Sequence, residues 1–141
     1  MRQMDWTESG RFLMHGTRTA KIATIGRDGR PHVVPVWFIL DQGGLVFTTS
    51  SRTVKARNMT RDPRVAVTVD DETPPFGFVS ITGQADLSER PEDFLTWTTK
   101  IATRYVGQAR GAEFGRRHTE IDDLVVRVRI ESFTGRADLI G

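Results

Sequence analysis

Short stretches in which apolar and polar residues alternate predict a chain built mainly of β-strands. Successive side chains of a strand point to opposite faces, so each such stretch buries one face and exposes the other. Turn residues separate the stretches, and the Asp-Gly pair at 28–29 is typical of a hairpin. The predicted strands are residues 19–25, 31–40, 45–49, 62–70, 77–87 and 124–132. Six short antiparallel strands predict a small, closed or nearly closed β-barrel.

Three segments have helical character. Residues 4–15 predict a short helix, and residues 53–61 predict a second one with Thr53 as its N-cap. Residues 91–106 predict a third, because its apolar residues recur at helical spacing and form one stripe. We expect that stripe to plug one end of the barrel or to pack on the sheet. Pro35 cannot donate to a ladder, so the strand that contains it is expected at an edge or a bulge.

Composition narrows the class of protein. With 141 residues and 38% hydrophobic residues, residues 1–141 are expected to form a single domain. The chain has no cysteine, which excludes disulfides, thiolate zinc sites and cysteine nucleophiles and suits a reducing cytoplasm. No apolar stretch approaches the roughly 18 residues of a membrane helix, so we expect a soluble, cytoplasmic protein with no membrane contact. His15, His32 and His118 lack metal-ligand spacing, and we expect no metal.

Residues 48–58, TTSSRTVKARN, combine hydroxyls and cations between two apolar strands. A strand ends at Thr48 and Thr49, and the helix predicted from Thr53 points its free backbone N–H groups back at the same place. Such helix ends favour phosphate, and the cations that follow would add formal charge. The segment therefore predicts an anion pocket, although an ordinary capped helix with solvated cations has the same sequence.

The order of four segments resembles a known family. ATIGRDGRPHVVPVWF, LVFTTSSRTVKARNM, RDPRVAVTVDD and GFVSITGQADL follow one another as in the pyridoxamine 5′-phosphate oxidase-like split β-barrel superfamily. Within it, they are most similar to the oxidoreductases that depend on the deazaflavin coenzyme F420. The resemblance implies a six-stranded antiparallel split barrel that forms a homodimer, with two cofactor sites between the subunits.

The resemblance also implies which residues hold the cofactor. The positions that match the phosphate-binding segment are Thr48, Thr49, Ser50, Ser51, Arg52, Thr53 and Lys55, with Arg57 nearby. The positions that match the ring-binding strand are Pro35, Val36, Trp37 and Phe38, and the partner subunit would contribute the segment that contains Phe76 and Phe78. Some family members have Arg where Thr53 stands here, which would leave Arg52 or Arg57 to supply that charge.

The activity implied is hydride transfer between coenzyme F420 and an unsaturated organic small molecule. The cofactor carries this chemistry, so no catalytic side chain is assigned. Arg57, Arg61 and Arg64 would continue the positive track toward the oligoglutamate tail of the coenzyme, which favours F420 over flavin mononucleotide (FMN). FMN in the same pocket, and a cofactor carrier without turnover, remain open. Nucleic-acid binding is disfavoured because the aromatic residues do not interleave with the cations.

Overall fold

The computed structural model describes residues 1–141, and its strands form one antiparallel sheet. The strands are β1 (Arg2–Met4), β2 (Ala20–Ile25), β3 (Pro31–Val36), β4 (Ile39–Asp41), β5 (Gly44–Thr49), β6 (Arg64–Asp71), β7 (Gly77–Glu89) and β8 (Leu124–Ala137). Their order is β3-β2-β6-β7-β8-β5-β4, with β1 paired to β8. The two outermost strands, β3 and β4, are joined by Trp37 and Phe38 alone, so the sheet must curl until its edges nearly meet. The result is a split barrel.

The split-barrel prediction is confirmed, but the sheet has eight strands rather than six. One extra strand arises because the predicted strand 31–40 breaks at Trp37 into β3 and β4. The other is β1, whose three residues are too few to show an alternation. Pro35 lies at the sheet edge and pairs only with Lys21, as expected of a residue without an N–H group.

Four helices accompany the sheet: α1 (Trp6–Met14), α2 (Val54–Arg61), α3 (Phe94–Val106) and α4 (Gln108–Ile121). The first three were predicted, and Thr53 caps α2 by accepting a hydrogen bond from the Ala56 N–H at 3.3 Å. Helix α4 was not predicted, because its buried residues are Gly111 and Gly115 rather than an apolar stripe. None of the helices is both long and apolar enough to cross a bilayer.

Two apolar clusters hold these elements together. The larger one fills the barrel and includes Phe38, Phe47 and Leu13. The smaller one lies outside, where Phe94 and Ile101 of α3 pack on Val46 of β5. Helix α3 therefore packs on the sheet, and α4 in turn packs on α3.

Candidate functional site

The end of β3, the end of β5 and the start of α2 meet around a cavity of about 280 Å³. The helices α3 and α4 close its other side. The cavity is lined by Pro35, Val36, Trp37, Thr48, Thr49, Ser50, Thr53, Lys55, Ile101, His118, Ile121 and Asp122. We call it the Lys55 cavity.

Most of the site residues implied by the resemblance line this cavity. These are Pro35, Val36, Trp37, Thr48, Thr49, Ser50, Thr53 and Lys55. Two segments distant in sequence, 35–37 and 48–55, are thus brought to one place by the closure of the barrel.

The remaining residues of the implied set lie elsewhere. The side chain of Phe38 is 0% exposed in the barrel interior and does not reach the cavity. Arg52 is exposed, and Ser51 and Arg57 line a neighbouring groove. Phe76 and Phe78 line a third cavity, of about 670 Å³.

Lys55 supplies the positive charge of the Lys55 cavity. Its side chain is half-buried and forms no salt bridge. Burial lowers the pKa of Lys55, while the nearby carboxylate of Asp122 acts in the opposite direction. An ammonium group that has lost water without gaining an ion pair is well suited to an anionic ligand.

Backbone donors lie beside this cation. The N–H groups of Val54 and Lys55, in the first turn of α2, have no acceptor within the chain. Unpaired donors of a first helical turn and the positive end of the helix dipole favour an anion at this point. The donor set therefore has the chemistry that a phosphate requires, and phosphate binding here stays a prediction.

The hydroxyl groups mainly shape the loop. The Thr53 hydroxyl donates to the Ser50 carbonyl at 2.8 Å and lies 3.2 Å from the Thr49 hydroxyl. The Thr48 hydroxyl donates to Asp122 at 2.8 Å. Ser50 accepts from the Arg52 N–H at 3.2 Å, which leaves its own hydroxyl proton available to a ligand.

Ser51 is held away from the cavity. Its N–H and its hydroxyl both donate to Asp123, each at 2.7 Å. These two hydrogen bonds lower the pKa of Asp123. Ser51 therefore anchors the loop to the start of β8 instead of facing a ligand in the cavity.

Aromatic rings also line the cavity. The Trp37 ring stacks on Tyr105 of α3, with centroids 4.8 Å apart and planes inclined by 7°. The His118 ring of α4 lies against Trp37 at 5.5 Å. His118, Ile121 and Asp122 were missed because α4 was not predicted, and no local sequence signal marks them as lining residues.

A basic groove of about 690 Å³ runs along α2, from Ser51 before the helix to Arg61 at its end. Arg27, Arg57 and Arg61 line it, and none of these arginines forms a salt bridge. Arg64, which the sequence placed in the same track, instead pairs with Asp62 at 2.7 Å. The arginines that line the groove therefore include Arg27, from the β2–β3 turn, and do not include Arg64.

The family model described as pyridoxamine 5′-phosphate oxidase matches residues 7–136. The solved structure of the conserved hypothetical protein Rv2991 from Mycobacterium tuberculosis is similar over 96% of this chain and 86% of its own, with 27% identity and a TM-score of 0.82. An F420 reductase is similar over 87% of this chain and 94% of its own, with 27% identity and a TM-score of 0.68.

A third similarity concerns the fold alone. The heme storage protein HutZ from Vibrio cholerae shares 20% identity over 87% of this chain and 89% of its own, with a TM-score of 0.71. Among curated proteins, none matches the chain.

Proposed function

The chain belongs to the pyridoxamine 5′-phosphate oxidase family, and from this premise we propose that it is an oxidoreductase that uses coenzyme F420. When bound in its reduced form, the deazaflavin would supply the hydride, which passes to an unsaturated organic small molecule and leaves the coenzyme oxidised. The observation that carries the proposal is the lining of the Lys55 cavity, which combines a half-buried cation that forms no salt bridge with the ring of Trp37, itself stacked on Tyr105.

The anionic end would be held by α2. Lys55 and the free N–H groups of Val54 and Lys55 would bind the phosphate, with the Ser50 hydroxyl as a further donor. A charge-assisted hydrogen bond from lysine to phosphate contributes about 1.5–3 kcal/mol. Arg52 is exposed, so Lys55 would have to bear most of the charge that some relatives obtain from arginine.

The ring end would be held by the last residues of β3. Pro35 has no N–H group and stands at the sheet edge, where a planar ring can lie along the backbone without competing with a ladder. Trp37 and Ile101 would exclude water from that side. The role of the protein in hydride transfer would then be to orient the ring and keep it dry.

The choice between F420 and FMN rests on the basic groove. Arg27, Arg57 and Arg61 line a groove that runs along α2 away from the proposed phosphate pocket, and together they carry more positive charge than a single phosphate requires. An oligoglutamate tail would match these guanidinium groups, none of which pairs with a carboxylate of the chain. The F420 reductase among the similar structures supports the same choice. FMN would fill the cavity but leave the groove empty.

We further propose that the protein acts as a homodimer. A row of small residues crosses the outer face of the sheet, and Val33 within it is 62% exposed. The row consists of Val33, Ala23, Ala66, Thr82 and Ser132, which are cross-strand neighbours on β3, β2, β6, β7 and β8. An exposed row of small, uncharged side chains suits a second copy of the chain. The cavity lined by Phe76 and Phe78 would then complete the site of the partner.

The test is the identity of the cofactor retained after expression in a host that makes both flavins and deazaflavins. Absorbance and mass of the retained compound should identify F420, and the purified protein should oxidise reduced F420 when a quinone is added. Retained FMN would favour a flavin-dependent reductase or oxidase. Retained F420 without turnover on a panel of quinones and other unsaturated compounds would favour a carrier.

A further inference from the structure

The barrel is split at Trp37 and Phe38, and the split leaves backbone groups without strand partners. Strand β3 ends at Val36 and β4 begins at Ile39, so Phe38 belongs to neither ladder. Its side chain is 0% exposed, and its N–H and carbonyl groups would be costly to leave unpaired.

Two consecutive residues of α3 supply the missing partners. The Phe38 N–H donates to the Tyr105 hydroxyl at 3.1 Å, and that hydroxyl donates to the Arg18 carbonyl at 2.8 Å. The guanidinium of Arg104 donates to the Phe38 carbonyl at 2.7 Å. It also donates to the carbonyls of Leu13 and Gly16, at 2.7 and 3.1 Å. Side chains of α3 therefore provide the hydrogen bonds that a neighbouring strand would otherwise give to Phe38.

Tyr105 also supports the wall of the Lys55 cavity. Its ring lies 4.8 Å from the Trp37 ring and nearly parallel to it, but Tyr105 does not itself line the cavity. Trp37 therefore has one face supported by Tyr105, and its orientation depends on a residue that no ligand in the cavity would touch. Burial raises the pKa of Tyr105, so its hydroxyl stays protonated and able to donate at neutral pH.

We propose that Tyr105 is a positioning residue for the cofactor site. Its hydroxyl fixes the backbone at Phe38 and its ring fixes the plane of Trp37, so together they set which planar ring system the cavity accepts. This proposal rests on the proposed function, because it assumes that a ring lies beside Trp37. Tyr105 would then influence cofactor selectivity from outside the cavity. It lies on α3, whereas most of the cavity residues that match the family lie on β3, β5 and the start of α2.

The first test compares Tyr105→Phe, which keeps the stacked ring and removes the hydroxyl, with Trp97→Phe. Trp97 also lies on α3 and donates one hydrogen bond, to Asp93 at 3.0 Å, but it does not line the cavity. We expect Tyr105→Phe to bind F420 about tenfold more weakly in calorimetry, because the Phe38 backbone and the Trp37 ring would no longer be held in place before the ligand binds; a tenfold change is about 1.4 kcal/mol. Trp97→Phe should bind within about twofold of wild type. Titrations well below each melting temperature keep global stability out of the comparison.

A second test needs no coenzyme. In a background with Trp6→Phe and Trp97→Phe, fluorescence reports on Trp37 alone. Tyr105→Leu should then make Trp37 more accessible to acrylamide. In a separate titration of the same variant with both coenzymes, the preference between F420 and FMN should shrink.

Hydrogen exchange on the wild-type protein avoids the risk that a variant does not fold. The Phe38 amide, although outside any ladder, should exchange slowly because the Tyr105 hydroxyl holds it. Rapid exchange at Phe38, or a folded Tyr105→Phe variant with wild-type affinity and wild-type Trp37 quenching, overturns the proposal. If the wild-type protein binds neither coenzyme, the proposed function fails, and exchange and quenching alone then decide the role of Tyr105.

Discussion

Replacement of Lys55 by methionine tests the anion pocket most directly. The change removes the charge and keeps an unbranched side chain of similar length. The ammonium group forms no salt bridge, so its removal deprives no carboxylate of a salt-bridge partner. Because burial lowers the pKa of Lys55, the charged form costs the folded state free energy, and the variant should be at least as stable as wild type.

The expected loss of affinity follows from the interaction removed. A charge-assisted hydrogen bond of about 1.5–3 kcal/mol corresponds to about a 10- to 150-fold change in dissociation constant. Lys55 is only half-buried, so water and salt screen part of this interaction, and we expect a loss near tenfold.

The pH dependence gives an independent signature. The anion is bound by the charged form of Lys55, so affinity is present below the Lys55 pKa and is lost as pH rises through it. Because that pKa is lower than the ordinary lysine value of 10.5, the loss should begin at a lower pH than for an exposed lysine. In the methionine variant this limb of the pH profile should be absent.

Fluorescence titrations of F420 and FMN from neutral to alkaline pH would measure both effects. Lys100→Met is the matched control, because Lys100 is exposed on α3 and outside the cavity. A folded Lys55→Met protein with wild-type affinity and an unchanged alkaline limb would refute the anion pocket and leave α2 as an ordinary capped helix.

Three further predictions concern the groove, the dimer and the helix pair. The double variant Arg27→Ala/Arg57→Ala should weaken the salt dependence of F420 binding and leave that of FMN binding unchanged. Arg64→Ala is the control and should leave both salt dependences unchanged, because Arg64 already pairs with Asp62. Light scattering should find a dimer for wild type and a monomer for Ala66→Arg, and a wild-type monomer that still binds cofactor would contradict the shared site. Gly111→Ala should lower the free energy of unfolding by about 1–3 kcal/mol in a urea titration, despite the better helix propensity of alanine, because its Cβ would lie 3.0 Å from the Thr103 Cα.

The sequence alone determined those features that depend on neighbouring residues. Alternation with a period of two identified β6, β7 and β8, since the faces of a strand follow directly from its backbone. The N-cap at Thr53 was predictable because a cap acts on its own helix, three residues away. The order of the segments then sufficed for the split-barrel fold. The cofactor, the dimer and the role of each implied site residue stay predictions.

The tertiary structure decided what depends on contacts between distant segments. Helix α4 could not be predicted from the sequence because apolar side chains do not hold it on α3. Its contact with α3 is instead the close approach of Gly111 to Thr103 and of Gly115 to Thr99. The same helix places His118 and its C-cap residue Asp122 at the cavity. Such packing has no periodic signature in the sequence.

The same holds for the charges. Lys55, Arg57 and Arg64 look alike in sequence, but the fold places them in different surroundings. Lys55 is half-buried in the cavity, and Arg57 lies on another face of α2, in the groove. Arg64 forms a salt bridge with Asp62. The break of the strand at Trp37 was also hidden, because the groups that compensate it lie on Arg104 and Tyr105, more than sixty residues away. The free energy of a charge or of an unpaired backbone group depends on its surroundings, and only the folded chain supplies those surroundings.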